Sequence, residues 1–287
     1  MNRRSIIKAG SIGAVLQSLE PVLAAVKDSV RMPSLFISHG TPLHAIWDND
    51  YTRGWHELGQ SLPRPTAIVS LSAHWITRGE ILLTAQDMPP VIYDARGFPA
   101  PLYEVKYPAP GAPALAGELA GLMTLRPGAL NAQWGYDHGT WVVLSHMFPQ
   151  ADVPVIQLSL DYGMSPQEHF ALGQQLAFLR DRGVLILGSG QFVHNLRLMG
   201  SRTEPVEPYP WAVEFSEIVS SWVEERAFLN VQHFRSLGEL AALAHPTWEH
   251  FLPLLNILGT VTPEDGLHWF NRGIMSGSMD MRCLLVG

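Results

Sequence analysis

The stretch Ser34-Leu35-Phe36-Ile37-Ser38-His39-Gly40-Thr41-Pro42 decides the fold. An apolar run of strand length predicts a strand covered on both faces, and the glycine and proline after it predict a tight turn. The same grammar recurs twice. Ala67-Ile68-Val69-Ser70-Leu71-Ser72 runs into Ala73-His74-Trp75, and Val184-Leu185-Ile186-Leu187 runs into Gly188-Ser189-Gly190-Gln191-Phe192-Val193-His194-Asn195. Val155–Leu160 is a fourth such run, with weaker ones at Glu80–Thr84 and Arg282–Val286. Helical patterns alternate with them at Pro113–Met123, Thr140–Phe148, Pro166–Asp181, Pro210–Phe228 and Trp248–Leu258. Strands alternating with helices predict an α/β layered sandwich, with a central, largely parallel or mixed sheet covered by helices. In such sheets the carboxyl ends of the strands line the ligand crevice, so His39, His74 and His194 are expected to converge there.

The composition restricts what they can bind. The 287 residues include 12 His against 1 Cys, Cys283, which excludes an internal disulfide, a Cys-rich zinc site and an iron–sulfur cluster. A metal here must be held by imidazole and oxygen. The formal net charge of −7, with no basic cluster after the first few positions, argues against a nucleic-acid or anionic-membrane surface. At 47% hydrophobic and 16% charged residues, the chain has the composition of a folded globular protein.

Two more histidines join on position. His138 lies in Tyr136-Asp137-His138-Gly139-Thr140-Trp141, just before a helix that Thr140 is expected to cap. His250 lies early in the helical pattern Trp248–Leu258 and shares a face with Leu254 and Ile257, so its ring is expected to point inward, with Glu249 about 100° away. The other seven histidines read as surface or packing residues. Trp75, Trp134 and Trp141 border the histidine motifs and either floor an aromatic pocket or pack in the core. The Pro-rich stretch from Met88 to Pro113 carries too many aromatic and apolar residues for a solvated linker and reads as an ordered loop beside the pocket. The chain has no Gly-x-Ser-x-Gly elbow, phosphate loop or dinucleotide fingerprint.

The first residues, Asn2-Arg3-Arg4-Ser5-Ile6-Ile7-Lys8, precede a weakly apolar stretch and Pro21-Val22-Leu23-Ala24. An arginine pair, a mild hydrophobic region and small residues at the cleavage positions resemble a bacterial twin-arginine signal peptide. Residues 1–31 are therefore expected to be a signal and leader, handed to the twin-arginine machinery, and residues 32–287 a single catalytic domain in the periplasm. Translation from Met32 would leave the same domain in the cytoplasm. The apolar run is too short to remain as a membrane span.

Six segments carry a resemblance to a known family: Pro33–Pro42, Arg64–Gly79, Gly135–Trp141, Val153–Asp161, Gly188–Arg197 and His250–Gly259. Together they resemble the class III extradiol ring-cleaving dioxygenases, in the branch of DOPA 4,5-dioxygenase-like proteins, and they run in family order from about Met32 to the C-terminus. The resemblance implies one divalent metal per chain, ligated by His39, His74 and His250, with Glu249 competing for the third position. It implies that His194 is the catalytic acid and base and also approaches a bound zinc, and that His138 contacts substrate or oxygen. The implied reaction opens a small, DOPA-like catechol with O2 to a muconic semialdehyde-type product, with Fe(II) needed for ring cleavage and Zn(II) expected as a bound metal. Other classes open to the same histidines are a zinc-dependent hydrolase and a silent zinc or aromatic-ligand binding protein.

Overall fold

The structure is a computed structural model that describes residues 31–201 and 206–287. The expected leader falls almost wholly outside the described residues.

In chain order the elements are β1 (Ser34–Ser38), α1 (Asp50–Ser61), β2 (Ala67–Thr77), β3 (Ile81–Thr84), α2 (Pro113–Leu122), β4 (Gly128–Asn131), α3 (His138–Met147) and β5 (Val155–Asp161). They continue with α4 (Pro166–Leu176), β6 (Val184–Gly190), β7 (Val193–His194), α5 (Pro210–Glu224), α6 (Phe228–Gln232), α7 (Glu239–Ala244) and α8 (Leu252–Gly259). The chain closes with β8 (Leu267–Phe270), β9 (Ile274–Met275), β10 (Met279–Asp280) and β11 (Cys283–Val286).

The described residues form an eight-stranded mixed sheet in the order β4-β3-β5-β2-β6-β1-β11-β8. Its centre, β5-β2-β6-β1, is parallel, and β11 and β8 add antiparallel strands beside β1. The apolar runs are unbroken because both faces of this centre are covered. Phe36, Val69, Ile156 and Ile186 pack in one core with Leu172 of α4, Val219 of α5 and Leu255 of α8. Their neighbours Leu35, Ile68, Val155 and Leu185 pack in another with Trp55 of α1 and Leu144 of α3. Alternation along each strand thus feeds two cores, as a period of two requires.

A buried ion pair joins the two ends of the described chain. Arg180, 1% exposed, donates to Asp265 at 2.6 and 2.8 Å and to the carbonyls of Met32, Thr260 and Val286. Taking away the carboxylate strands a buried guanidinium. Asp265→Ala is therefore expected to cost about 3–5 kcal/mol of stability by urea unfolding; a loss below about 1 kcal/mol would show that the carbonyls alone suffice.

Several predicted boundaries shift. The Pro166–Asp181 pattern tightens into a 3-10 turn, Ala177–Arg182, after Leu176. The pattern at Pro210 ends at Glu224, and that at Trp248 becomes helical only from Leu252, with Pro253 in its first turn. His250 therefore sits in the turn before α8. The N-cap of α3 is Asp137, not Thr140, so His138 is the first residue of the helix. Thr140 instead shares a hydrogen bond with Ser70, 2.8 Å away across the core.

Candidate metal centre

His39 follows β1 directly. Gly40 takes φ +70°, a left-handed turn that L side chains resist, and its N–H is bound by the Gln191 side chain at 2.9 Å. His74 lies inside β2, where the register with β5 slips between Leu71 and Ile76. Its side chain therefore projects from an irregular stretch within the strand and not from a turn beyond it. His194 ends β7, a two-residue strand paired with β10. The backbone of His250 is seated on the end of β6: its carbonyl accepts from the Gln191 N–H at 2.9 Å, and a Cβ at Gly190 would stand 2.2 Å from that oxygen.

These four histidines and His138 line one cavity of about 260 Å³. The His74 and His138 rings lie 3.8 Å apart, and His250 lies 5.0 Å from His74 and 5.4 Å from His39. The His194 ring stacks on His250 at 3.6 Å. None of the three flagged tryptophans lines the cavity. Trp75 stacks on Trp134, and Trp141 packs on Tyr93.

The partners behind the rings set which nitrogen each offers. The Ser189 hydroxyl donates to the Gly139 carbonyl, so at 3.0 Å it accepts from His39 Nδ1–H. His250 Nδ1–H donates to Glu249 at 2.9 Å, and His138 Nδ1–H donates to Asp94 at 2.7 Å. The same Asp94 oxygen lies 3.6 Å from His74 Nδ1. With each Nδ1 turned outward, the Nε2 lone pairs of His39, His138 and His250 are left free.

His250 Nε2 is buried with no hydrogen-bond partner among the described residues. His39 Nε2 and His74 Nε2 stand 3.0 Å apart, a separation at which two lone pairs repel unless a proton or cation lies between them. Two nitrogens about 2.1 Å from one ion and at right angles stand roughly 3.0 Å apart. The residues fit a metal. Burial, then the neighbouring imidazoles, hold His39 and His250 well below the ordinary histidine range; burial does the same to His74, so all three are neutral and able to bind one.

Two groups of side chains bring their ligand atoms within 4.8 Å of one another: His39, His74 and His138, and His194, Glu249 and His250. Residues 32–273 match the catalytic LigB subunit of aromatic ring-opening dioxygenase. The chain belongs to this family.

The 4,5-DOPA dioxygenase extradiol of Escherichia coli K12 is 44% identical over 270 residues, which are 91% of this chain and 97% of that one. The protein of the same name from Beta vulgaris is 38% identical, over 81% of this chain and 88% of its own length. A crystal structure of an uncharacterized Escherichia coli K12 protein superposes with a TM-score of 0.77 at 40% identity, covering 90% of this chain and all of the other. The chain is an extradiol ring-opening dioxygenase, and its histidine cluster is a non-haem metal site.

The site of this ring-opening dioxygenase also contains residues that its sequence patterns do not single out. Asp94 holds His138 twice, through the ring and through the backbone N–H at 3.2 Å. Burial raises its pKa, but the hydrogen bond and charge of His138 outweigh this and hold the carboxyl below its usual range. Trp47, Phe98, Met275 and Met279 give the cavity apolar walls. Phe98 comes from the Pro-rich loop expected beside the pocket, whereas Trp47, Met275 and Met279 are marked only by their place in the folded chain.

Proposed function

We propose that this enzyme opens the ring of a small catechol with a DOPA-like side chain, using O2 and an Fe(II) ion held by His39, His74 and His250. The observation that supports the ligand set is the unpartnered, buried Nε2 of His250, whose ring lies 5.0 Å from His74 and 5.4 Å from His39. Glu249 accepts from the far side of the His250 ring, which suits it to orient that ring. The set is a site of nitrogen ligands, and zinc would also bind it.

An iron ion held by His39, His74 and His250 would supply a redox couple, which zinc lacks. The residues do the rest. His194, held neutral at a pKa of about 4 by burial and then by His138, is free to take the proton of a catechol hydroxyl and return it as the ring opens. Its stacking on His250 keeps that proton beside the metal ligands. His138 gives its Nδ1–H to Asp94, which fixes the ring and leaves Nε2 for substrate or oxygen. The apolar walls keep water from the reacting ring.

The reading extends to cell biology through residues 1–31, which we take as a twin-arginine leader carrying the folded, metal-loaded enzyme to the periplasm, with 32–287 as its catalytic domain. No helix among the described residues is long and apolar enough to cross a membrane.

The test is anaerobic loading with Fe(II), then L-DOPA or a simple catechol in air. One O2 per catechol and a yellow semialdehyde absorbance are expected. Absence of O2 uptake by fully iron-loaded protein across a catechol panel would refute the proposal.

A further inference from the structure

We propose that Arg96 selects catechols whose side chain ends in a carboxylate, and that the site does not recognise a side-chain amine. The inference rests on the catechol reading above and names the substrate class within it.

The cavity has a floor and a mouth. His39 and His250 are 2% and 5% exposed and form the floor, so the two catechol hydroxyls belong there. Arg96, in the loop between β3 and α2, also lines the cavity but is exposed, which places it at the mouth. A catechol with its hydroxyls on the floor turns the substituent at the opposite side of the ring toward that mouth.

Apart from the histidines, Arg96 is the one ionisable side chain on the described cavity wall. The wall has no Asp, Glu or Lys. Arg96 makes no hydrogen bond or ion pair with a described residue, whereas most of the other described arginines are engaged. Asp94, two residues earlier, is committed to His138 and does not line the cavity. A carboxylate entering this mouth meets a free planar guanidinium suited to bidentate pairing, and no anion. An ammonium group meets a cation and apolar walls. No carboxylate on the wall would pair with it.

The experiment separates selectivity from activity. For iron-loaded wild-type and Arg96→Gln enzymes, kcat/KM is measured with 3,4-dihydroxyphenylpropionate, which has the carboxylate alone, with dopamine, which has the amine alone, and with 4-methylcatechol, which has neither. The wild type is expected to prefer the carboxylate over 4-methylcatechol and to show no preference for dopamine. Arg96→Gln should shrink the carboxylate preference by about tenfold or more, as loss of a charge-assisted pair implies, mainly through KM. A ratio that Arg96→Gln leaves unchanged overturns the assignment, and so does a wild-type preference for dopamine.

Anaerobic titration of the metal-loaded protein, followed by quenching of tryptophan fluorescence, gives the same affinity ratio without turnover. If the wild type opens no catechol, the proposed reaction has failed. The binding ratio then still decides whether Arg96 reads a carboxylate.

Discussion

Replacing His74 with alanine is expected to strip the enzyme of its divalent metal and to abolish dioxygen uptake with any catechol. His74 Nε2 is one half of the 3.0 Å nitrogen pair that a cation would bridge. Loss of a group that merely orients a ligand costs about 10- to 100-fold in metal affinity, so loss of a ligand should cost more than about 100-fold. Metal content after dialysis against a weak chelator measures this directly. His194→Ala provides the contrast: it should retain its metal and lose turnover, because its assigned role is to move a proton. Metal retained by His74→Ala and lost by His194→Ala would transfer the site to the neighbouring group of His194, Glu249 and His250.

The second large effect is an acid limit set away from the metal. His44, His169 and His245 are buried, and each binds a backbone carbonyl through one ring nitrogen, those of His39, Asp161 and Phe192. The other nitrogen of each is buried without a partner. A second proton there would place a charge in the core with no acceptor, so burial lowers these pKa values to about 4, 4 and 3.

Above about pH 6.5 the unfolded chain also leaves these rings neutral, and the folded state is not penalised. As pH falls below that, the unfolded chain takes up three protons that the folded core refuses. Asp137, raised to about 6 by burial and then by Asp94, opposes this by holding one proton only when folded. From these four groups alone, the net of two protons predicts that stability falls by about 2.7 kcal/mol per pH unit toward pH 5. In metal-free protein the site histidines act in the same direction. Stabilities of typical domains are about 5–15 kcal/mol, so unfolding should set in well above pH 4. Urea unfolding at pH 7.5, 6 and 5 checks the slope. A flat profile would mean that the folded core accepts these protons.

Much of this arrangement is legible from local pattern. Ser34–Ser38 is strand β1 residue for residue, because a strand between two cores must be apolar at successive positions. The five histidines picked from strand ends and helix starts all line one cavity, and the other seven do not. Legibility fails where the cause is distant in sequence. Asp94 is a single acid in a proline-rich loop, and its partner lies 44 residues on. Gly128–Asn131 has few β-formers and becomes strand β4 by pairing with β3 at the sheet edge. The small sheet of β7, β10 and β9 is built from two-residue strands with no period to read. Helix α1 did carry a signal: the Asn49 and Thr52 capping box and the spacing of Tyr51, Trp55 and Leu58, diluted by Gly54 and Gly59.

The Arg180 clamp has a practical consequence. One guanidinium holds the carbonyls of Met32 and Val286, and Val286 pairs with Ser34 at the start of β1, whose far end delivers His39. Five strand residues, roughly 15 Å, separate that pole from the histidines. Both ends of the described chain thus leave from the side opposite the substrate opening. An enzyme tethered to a bead or electrode through either end would face its cavity into solution, and a short linker from residue 287 to residue 31 would allow circular permutation with the metal ligands left in place.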